Sequence, residues 1–278
     1  MKKVVLVTGA GQISLAITRR IAYGCQIVLG DKSIVNAQEM ATVLSQAGFD
    51  VVAKEMDLSD KESILDFITY AQNFGEIHYM INGAGVSPSQ ASIEKVLAVD
   101  LYGTAVLLEE VGKIITQGGR GVTISSQSGF RMPALTEKQD RALAMTDPNQ
   151  LLDLDFLQVD QIENSLHAYQ LAKRANEKRV MGEAVKWGKR GARINAIAPG
   201  IIVTPLALDE FNGPRGDFYK NMFANSPAGR PGAADEVANL AELVLSEQAA
   251  YMTGSTLLID GGATASYFYG PLQPNKES

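Results

Sequence analysis

Tyr169-Gln170-Leu171-Ala172-Lys173 sets a phenol and an ammonium four residues apart inside a helix-like run. On an α-helix, residues i and i+4 share a face with Cβ atoms about 5–6 Å apart. An ammonium held beside a phenol favours phenolate and draws phenol titration down from about 10. Such a phenol can exchange a proton with a carbonyl or alcohol oxygen. A second chemical feature lies at the other end of the chain, where the apolar residues 4–7 run into Thr8-Gly9-Ala10-Gly11-Gln12-Ile13-Ser14. A strand, a glycine turn and a helix N-terminus gather backbone N–H groups and the positive end of the helix dipole at one point, which suits a pyrophosphate. Gly9, Gly11, Gln12 and Ile13 are the residues placed to meet it. About 20 positions on, Asp31 closes the second strand, where a carboxylate can take ribose hydroxyls and repel a 2′-phosphate. The expected cofactor is therefore NAD in preference to NADP. Lys32, beside Asp31, is either a solvated charge or a group that accommodates a 2′-phosphate.

These residues need a scaffold, and the rest of the chain describes one. Short β-branched runs at 4–7, 27–29, 51–55, 79–81, 122–125, 193–197 and 256–259 alternate with helix-like segments at about 12–23, 33–47, 60–73, 92–116, 165–187 and 233–246. Strands that read as continuous apolar runs are buried on both faces, so helices lie above and below a parallel sheet. The expected fold is α/β: a Rossmann-type, doubly wound, mostly parallel seven-stranded sheet with helices on both faces, in one domain over 1–278. Two regions break the alternation. Residues 131–164 are too apolar for a linker and too irregular for one helix, and read as an insertion packed on the body. Residues 204–232, rich in proline and glycine, read as a mobile lid-like loop; residues 267–278 read as a loose tail.

Composition narrows the function classes. Of 278 residues, 46% are hydrophobic and 20% charged, with 25 basic against 31 acidic side chains and a net charge of −6. That balance argues against nucleic acid or an anionic membrane as partner. One cysteine, Cys25, excludes an internal disulfide framework and fits a reducing compartment. The two histidines, His78 and His167, are far apart, no Cys/His cluster has zinc spacing, and no metal is expected. No run reaches the length of a membrane span, and the apolar stretch after Met1-Lys2-Lys3 stops after four residues, too short for a signal peptide. The expected location is cytoplasmic.

Several motifs together resemble the short-chain dehydrogenase/reductase family, compact one-domain type, over nearly the whole chain. Besides Tyr169-x-x-x-Lys173 and Thr8-Gly9-Ala10-Gly11, they are Asp57-Leu58, Asn82-Gly83-Ala84-Gly85, Ile124-Ser125-Ser126, the run from Arg193 through Ala198-Pro199-Gly200, and Asp260-Gly261-Gly262. The resemblance implies that Tyr169 is the general acid/base, that Lys173 holds the nicotinamide ribose, and that Ser126 hydrogen-bonds the substrate oxygen by electrostatic preorganisation. It implies that Asp57 and Leu58 flank the adenine, and that Asn82, Gly83, Ala84 and Gly85 line the cofactor. Pro199 and Gly200 lead to Ile202 and Thr204, which are implied to contact the nicotinamide.

Three departures stand out. The glycine turn is one residue short, with Gln12 and Ser14 where glycines usually stand; the Ser14 hydroxyl could bond a phosphate oxygen. The family's Val-Asn-Leu is Val99-Asp100-Leu101, which makes Asp100 a candidate member of the catalytic relay whose charge raises the lysine titration. Ser126 and Tyr169 stand 43 residues apart, because the insertion lies between them, as in some bacterial carbonyl reductases and hydroxysteroid dehydrogenases. The insertion either shapes the substrate pocket or forms a subunit contact. Together these readings imply an NAD(H)-dependent oxidoreductase interconverting a small-molecule ketone and a secondary alcohol, working as a homo-oligomer, tetramer or dimer. The alternatives are a dinucleotide-binding regulatory or scaffold protein with little turnover, and a nucleotide-sugar epimerase or dehydratase, which usually needs a longer C-terminal part.

Overall fold

In the computed structural model, which describes residues 2–213 and 216–274, the apolar runs are strands and pair in parallel. The strands are β1 Lys2–Thr8, β2 Gln26–Asp31, β3 Asp50–Glu55, β4 Gly75–Asn82, β5 Arg120–Ile124, β6 Arg193–Pro199, the two-residue β7 Ile202–Val203 and β8 Gly232–Ala233, and β9 Thr256–Ile259. Seven of them form one sheet in the order β3-β2-β1-β4-β5-β6-β9, and β7 pairs with β8. The first half of the chain supplies helices α1 Gln12–Ile21, α2 Ile34–Gln46, α3 Lys61–Gln72, α4 Ile93–Val96, α5 Thr104–Ile114 and α6 Gln127–Phe130. The second half adds α7 Glu137–Met145, α8 Pro148–Leu151, α9 Ser165–Gly188, α10 Pro205–Asn212, α11 Gly216–Ala224, α12 Ala234–Leu245 and α13 Ala263–Tyr269.

Strand periodicity explains the two cores. Side chains alternate across a strand, so Val4 and Leu6 join one buried cluster with Phe67 of α3, Val106 of α5 and Trp187 of α9. Val5 and Val7 join the other, with Ile17 of α1, Met40 of α2 and Val237 of α12. The expected doubly wound, single-domain α/β fold is what the chain adopts. The strand order reverses between β1 and β4, and ligands of such sheets bind at the carboxyl ends of the strands beside that switch. The glycine turn after β1 and the Gly83-Ala84-Gly85 turn after β4 meet there: a Cβ on Gly9, whose φ is +85°, would stand 2.6 Å from the Ala84 nitrogen.

Two segments refine their sequence reading and two differ from it. The run 92–116 is one helical rod in which Leu97–Gly103 winds as π-helix between α4 and α5; the Gly103 backbone there abuts the Leu58 carbonyl with no room for a side chain. The insertion folds as α7, α8 and two 3₁₀ turns, and Met132, Leu143, Leu151, Leu157 and Ile162 bury themselves with Leu171 and Ala175 of α9 in a third cluster. Residues 204–232 were expected to be loop, but α10 and α11 form there; Pro205 opens α10, where a missing N–H costs nothing. The supposed tail begins inside α13, which Gly262 starts in the left-handed conformation with Asp260 accepting from the Gly262 and Thr264 N–H groups. The last four residues of that tail, 275–278, lie outside the described residues, as do 214 and 215 of the lid-like segment.

Candidate active site

Helix α9 carries the phenol and the ammonium. Asn164 caps its start by accepting the His167 N–H at 3.0 Å, and the His167 Nδ1 accepts the Glu163 N–H at 3.4 Å. One turn on, Tyr169 is half-buried, and Lys173 is 5% exposed with its Nζ 5.1 Å from the Tyr169 ring centroid. The π-helical stretch brings Asp100 up behind the lysine, fully buried. Asp100 Oδ1 accepts the Val86 N–H at 3.0 Å, while Oδ2 has no hydrogen-bond partner and lies 3.9 Å from Lys173 Nζ. Burial alone would lower the lysine pKa, but the charges of Asp100 and Tyr169 outweigh it and hold Lys173 above the ordinary lysine value. Burial pushes Asp100 up, opposed by Lys173 and the Val86 N–H. Asp100 therefore stands beside Lys173 as a buried charge partner.

Ser126 follows the fifth strand and caps the short α6, its Oγ accepting the Ser128 N–H at 3.2 Å. A hydroxyl has one hydrogen to give, and that of Ser126 has no partner among the described residues. Its neighbour Ser125 is buried, with Oγ 2.9 Å from the Lys173 carbonyl oxygen and 3.2 Å from Glu177 Oε1. Sequence reasoning passed over both Ser125 and Glu177. Glu177 repeats the helical spacing once more beyond Lys173, which was the available signal.

The phosphate end is formed as the turn chemistry requires. Helix α1 is capped by Gly11 with no side-chain hydrogen bond, so its first-turn N–H groups are left for a ligand, and a Cβ on Gly11 would meet nothing within 4 Å. Gln12 is exposed and Ile13 half-buried at the same helix start. Asp31 accepts the Ala10 N–H at 2.7 Å and the Ser33 N–H at 2.8 Å, which ties the carboxylate to the glycine turn. A carboxylate has about four acceptor sites, so Asp31 can still receive hydroxyls. These features fit a dinucleotide: an open cradle, unclaimed amides and a carboxylate one turn away.

Other expected contacts are placed differently. The Asn82 amide is buried and fully engaged, accepting from Thr8 at 2.7 Å and donating to Thr123 at 2.9 Å and Thr104 at 3.3 Å, so it braces the sheet instead of lining the groove. Leu58 turns its side chain into the core. The Ser14 hydroxyl lies against Gly83, buried and without a hydrogen-bond partner among the described residues. Asp57 accepts from the Ser59 N–H and Oγ and pairs with Lys32 Nζ at 2.8 Å. Burial works against its ionisation, but the bonds from Lys32 and Ser59 and the charge of Lys95 hold it far below the usual carboxylate range. Gly83, Ala84 and Gly85 form the turn facing Gly9, and a Cβ on Gly85 would strike Asp100 Oδ1 at 2.8 Å. On the far side, Pro199 ends β6, Gly200 donates to the Ile259 carbonyl at 2.8 Å, Ile202 is buried in β7, and Thr204 Oγ1 accepts the Ala207 N–H to start α10.

Comparison with known proteins agrees with this arrangement. Residues 3–137 match the short chain dehydrogenase family and residues 132–264 match the enoyl-(acyl carrier protein) reductase family. A short-chain dehydrogenase/reductase of Alternaria brassicicola is 34% identical over 94% of this chain and 95% of its own. D-threitol dehydrogenase of Mycolicibacterium smegmatis is 30% identical over 94% of this chain and 93% of its own. The crystal structure of levodione reductase superposes with a TM-score of 0.77 at 26% identity, covering 95% of this chain and 98% of that one. With the fold, the switch-point crevice and these relatives in agreement, the chain belongs to the short-chain dehydrogenase/reductase family of oxidoreductases.

Proposed function

We propose that this protein interconverts a secondary alcohol and a ketone with NAD(H), Tyr169 exchanging the proton at the substrate oxygen. The observation that carries this is a buried, positively charged Lys173 held 5.1 Å from the Tyr169 ring centroid with Asp100 behind it. When bound in the crevice, the nicotinamide supplies or accepts the hydride. The chain does the rest. Ser126 has its acceptor side engaged by Ser128, which leaves its O–H to donate to the substrate oxygen. Lys173 places a fixed positive charge beside Tyr169, and Gly9, Gly11, Gln12, Ile13 and the 83–85 turn hold the cofactor. Pro199, Gly200, Ile202 and Thr204 would close over its nicotinamide end. Tyr169→Phe is expected to keep cofactor binding and to lower kcat by about 10²–10⁴. Absorbance of reduced nicotinamide with a panel of alcohols and ketones measures this, and near-normal rates in Tyr169→Phe would remove the assignment.

The preference for NAD rests on Asp31 and on Lys32, whose ammonium is paired with Asp57 at 2.8 Å. Asp31→Ala is expected to weaken NADH and relax discrimination against NADPH; equal affinity of the unaltered protein for both would refute the preference. The names of the relatives, a threitol dehydrogenase and a levodione reductase among them, support a small alcohol or ketone as substrate. Most apolar side chains of the insertion pack against α9 and the 96–105 stretch, with Met145 and Val159 exposed, so the insertion by itself argues little for a bulky hydrophobic substrate. A cytoplasmic location is supported by the unpaired Cys25, and no helix among the described residues is long and apolar enough to cross a membrane. The proposed assembly is a homo-oligomer, dimer or tetramer, supported by exposed Leu258 on edge strand β9, Leu243 on α12, and Met181 and Val185 on α9.

A further inference from the structure

Glu177 is buried one turn beyond Lys173, yet the neighbouring cations turn elsewhere: Arg174 and Lys178 both reach Asp140 of α7, at 2.6 and 3.4 Å. What Glu177 does meet is Ser125, whose Oγ stands 3.2 Å from Glu177 Oε1 and 2.9 Å from the Lys173 carbonyl oxygen. The fit is close, since a Cβ on Gly129 would come within 2.6 Å of Glu177 Oε1 and 2.9 Å of the Arg174 nitrogen. Ser125 has one hydrogen for two acceptors. The Lys173 carbonyl already accepts the Glu177 N–H within α9, so with an ionised Glu177 the single Ser125 hydrogen can serve the carboxylate only by leaving its bond to that carbonyl. A neutral carboxyl lets both bonds form: Glu177 donates to Ser125 Oγ, and Ser125 donates to the Lys173 carbonyl. Each atom in the line then has its role.

We propose that Glu177 is a positioning residue for the reaction, acting through Ser125 to lock the strand end that carries Ser126 against the turn of α9 that carries Lys173. This inference rests on the proposed roles of Ser126, Tyr169 and Lys173. The surroundings agree with a neutral acid. Burial pushes Glu177 up to about 7, against the Ser125 hydrogen bond and the positive charges of Arg174 and Lys178, while Asp140 from α7 adds to the rise. From β5 and α6, the groups facing it are the Ser125 hydroxyl and the Gly129 backbone. Because the folded value exceeds the unfolded one of 4.5, the stabilisation is complete below 4.5 and is lost as pH rises through about 7.

The test compares Glu177→Gln, Glu177→Ala and Ser125→Ala with the unaltered full-length protein. Glutamine keeps a donor toward Ser125 and cannot ionise. The proposal expects kcat of the unaltered protein to carry a limb near pH 7 that is absent in Glu177→Gln, which otherwise keeps the rate seen at lower pH. Glu177→Ala is expected to lose about tenfold or more in kcat while KM for the cofactor stays within about twofold, as for a misplaced rather than a missing group. If Glu177→Ala does not fold, Ser125→Ala is read by the same criteria. Near pH 6, above the ordinary carboxylate range and below the Glu177 value of about 7, a neutral-acid infrared carbonyl component that is present in the unaltered protein and missing from Glu177→Gln is also expected. A full-rate Glu177→Ala, a pH limb that survives in Glu177→Gln, or no neutral-acid band would each overturn the proposal. Infrared spectra and the pH dependence of thermal unfolding do not depend on turnover. If Tyr169→Phe proves fully active, the catalytic reading fails and the positioning proposal with it, while these two measurements separately decide whether the hydrogen-bond chain exists.

Discussion

A single carboxylate decides the electrostatics around the candidate proton-transfer group. Where the family usually has asparagine, Asp100 lies fully buried 3.9 Å from Lys173 and helps hold the lysine above its ordinary value in spite of burial. Removing the charge without changing the shape reverses this contribution. Asp100→Asn is therefore expected to let Lys173 deprotonate at lower pH, and to shift the alkaline limb of kcat toward neutrality while the rate near neutral pH changes severalfold at most. A pH–rate profile of the two proteins checks the sign. The residue types and spacing of Tyr169, Lys173 and Asp31 were legible in the chain because helix geometry and strand ends fix where such side chains go, whereas Ser126 was singled out by the family resemblance alone. The role of Asn82 was not legible: whether an amide faces a groove or three threonine hydroxyls depends on partners 22 to 74 residues away.

At the level of elements, the insertion is the segment that departs most from the α/β alternation. Helix α7, started by a capping box in which Thr136 and Gln139 bond reciprocally, lies along α9. It is pinned there by Asp140, which accepts from Arg174 Nε at 2.8 Å and from its terminal nitrogen at 2.6 Å. Arg179 adds a bond to the Thr146 carbonyl at 2.7 Å, and Gly182 lets the Ala144 carbonyl approach α9. A forked Arg–carboxylate pair that is four-fifths shielded is stronger than a surface pair. Asp140→Ala is expected to cost about 1–2 kcal/mol. It should also speed amide hydrogen exchange in α7 more than in the sheet, which exchange mass spectrometry resolves. The sequence showed that residues 131–164 depart from the α/β alternation and carry apolar side chains. It did not show where those side chains go, since a run of leucines reads the same whether it lines a pocket or, as here, packs on a neighbouring helix.

Over the whole molecule, the sheet has two edge strands, β3 and β9, and the β9 flank carries exposed apolar side chains. β9 pairs only with β6, and Leu258 on that edge is 39% exposed, with Leu243, Tyr251, Phe268 and Tyr269 also exposed on α12, on the turn before β9 and on α13. An uncovered edge strand with apolar company is a surface that a second copy would bury. If the proposed homo-oligomer uses this flank, Leu258→Glu should halve or quarter the sedimenting mass while leaving the far-ultraviolet circular dichroism unchanged. An unchanged mass would place the subunit contact elsewhere, on α9 around Met181 and Val185.

The amino-acid sequence by itself determined the alternation of strands and helices, the two-faced parallel sheet and the placing of Tyr169 and Lys173 on one helix face. Each of these follows from short-range rules: apolar runs buried on both faces, glycine where φ must be positive, and a four-residue helical repeat. Tertiary structure alone decided that Asp100 stands behind Lys173, that Ser125 bridges to Glu177, and that the apolar insertion packs on α9. Those outcomes depend on which distant segments meet in the folded core, and burial there sets charge and hydrogen bonding in ways that local pattern does not contain.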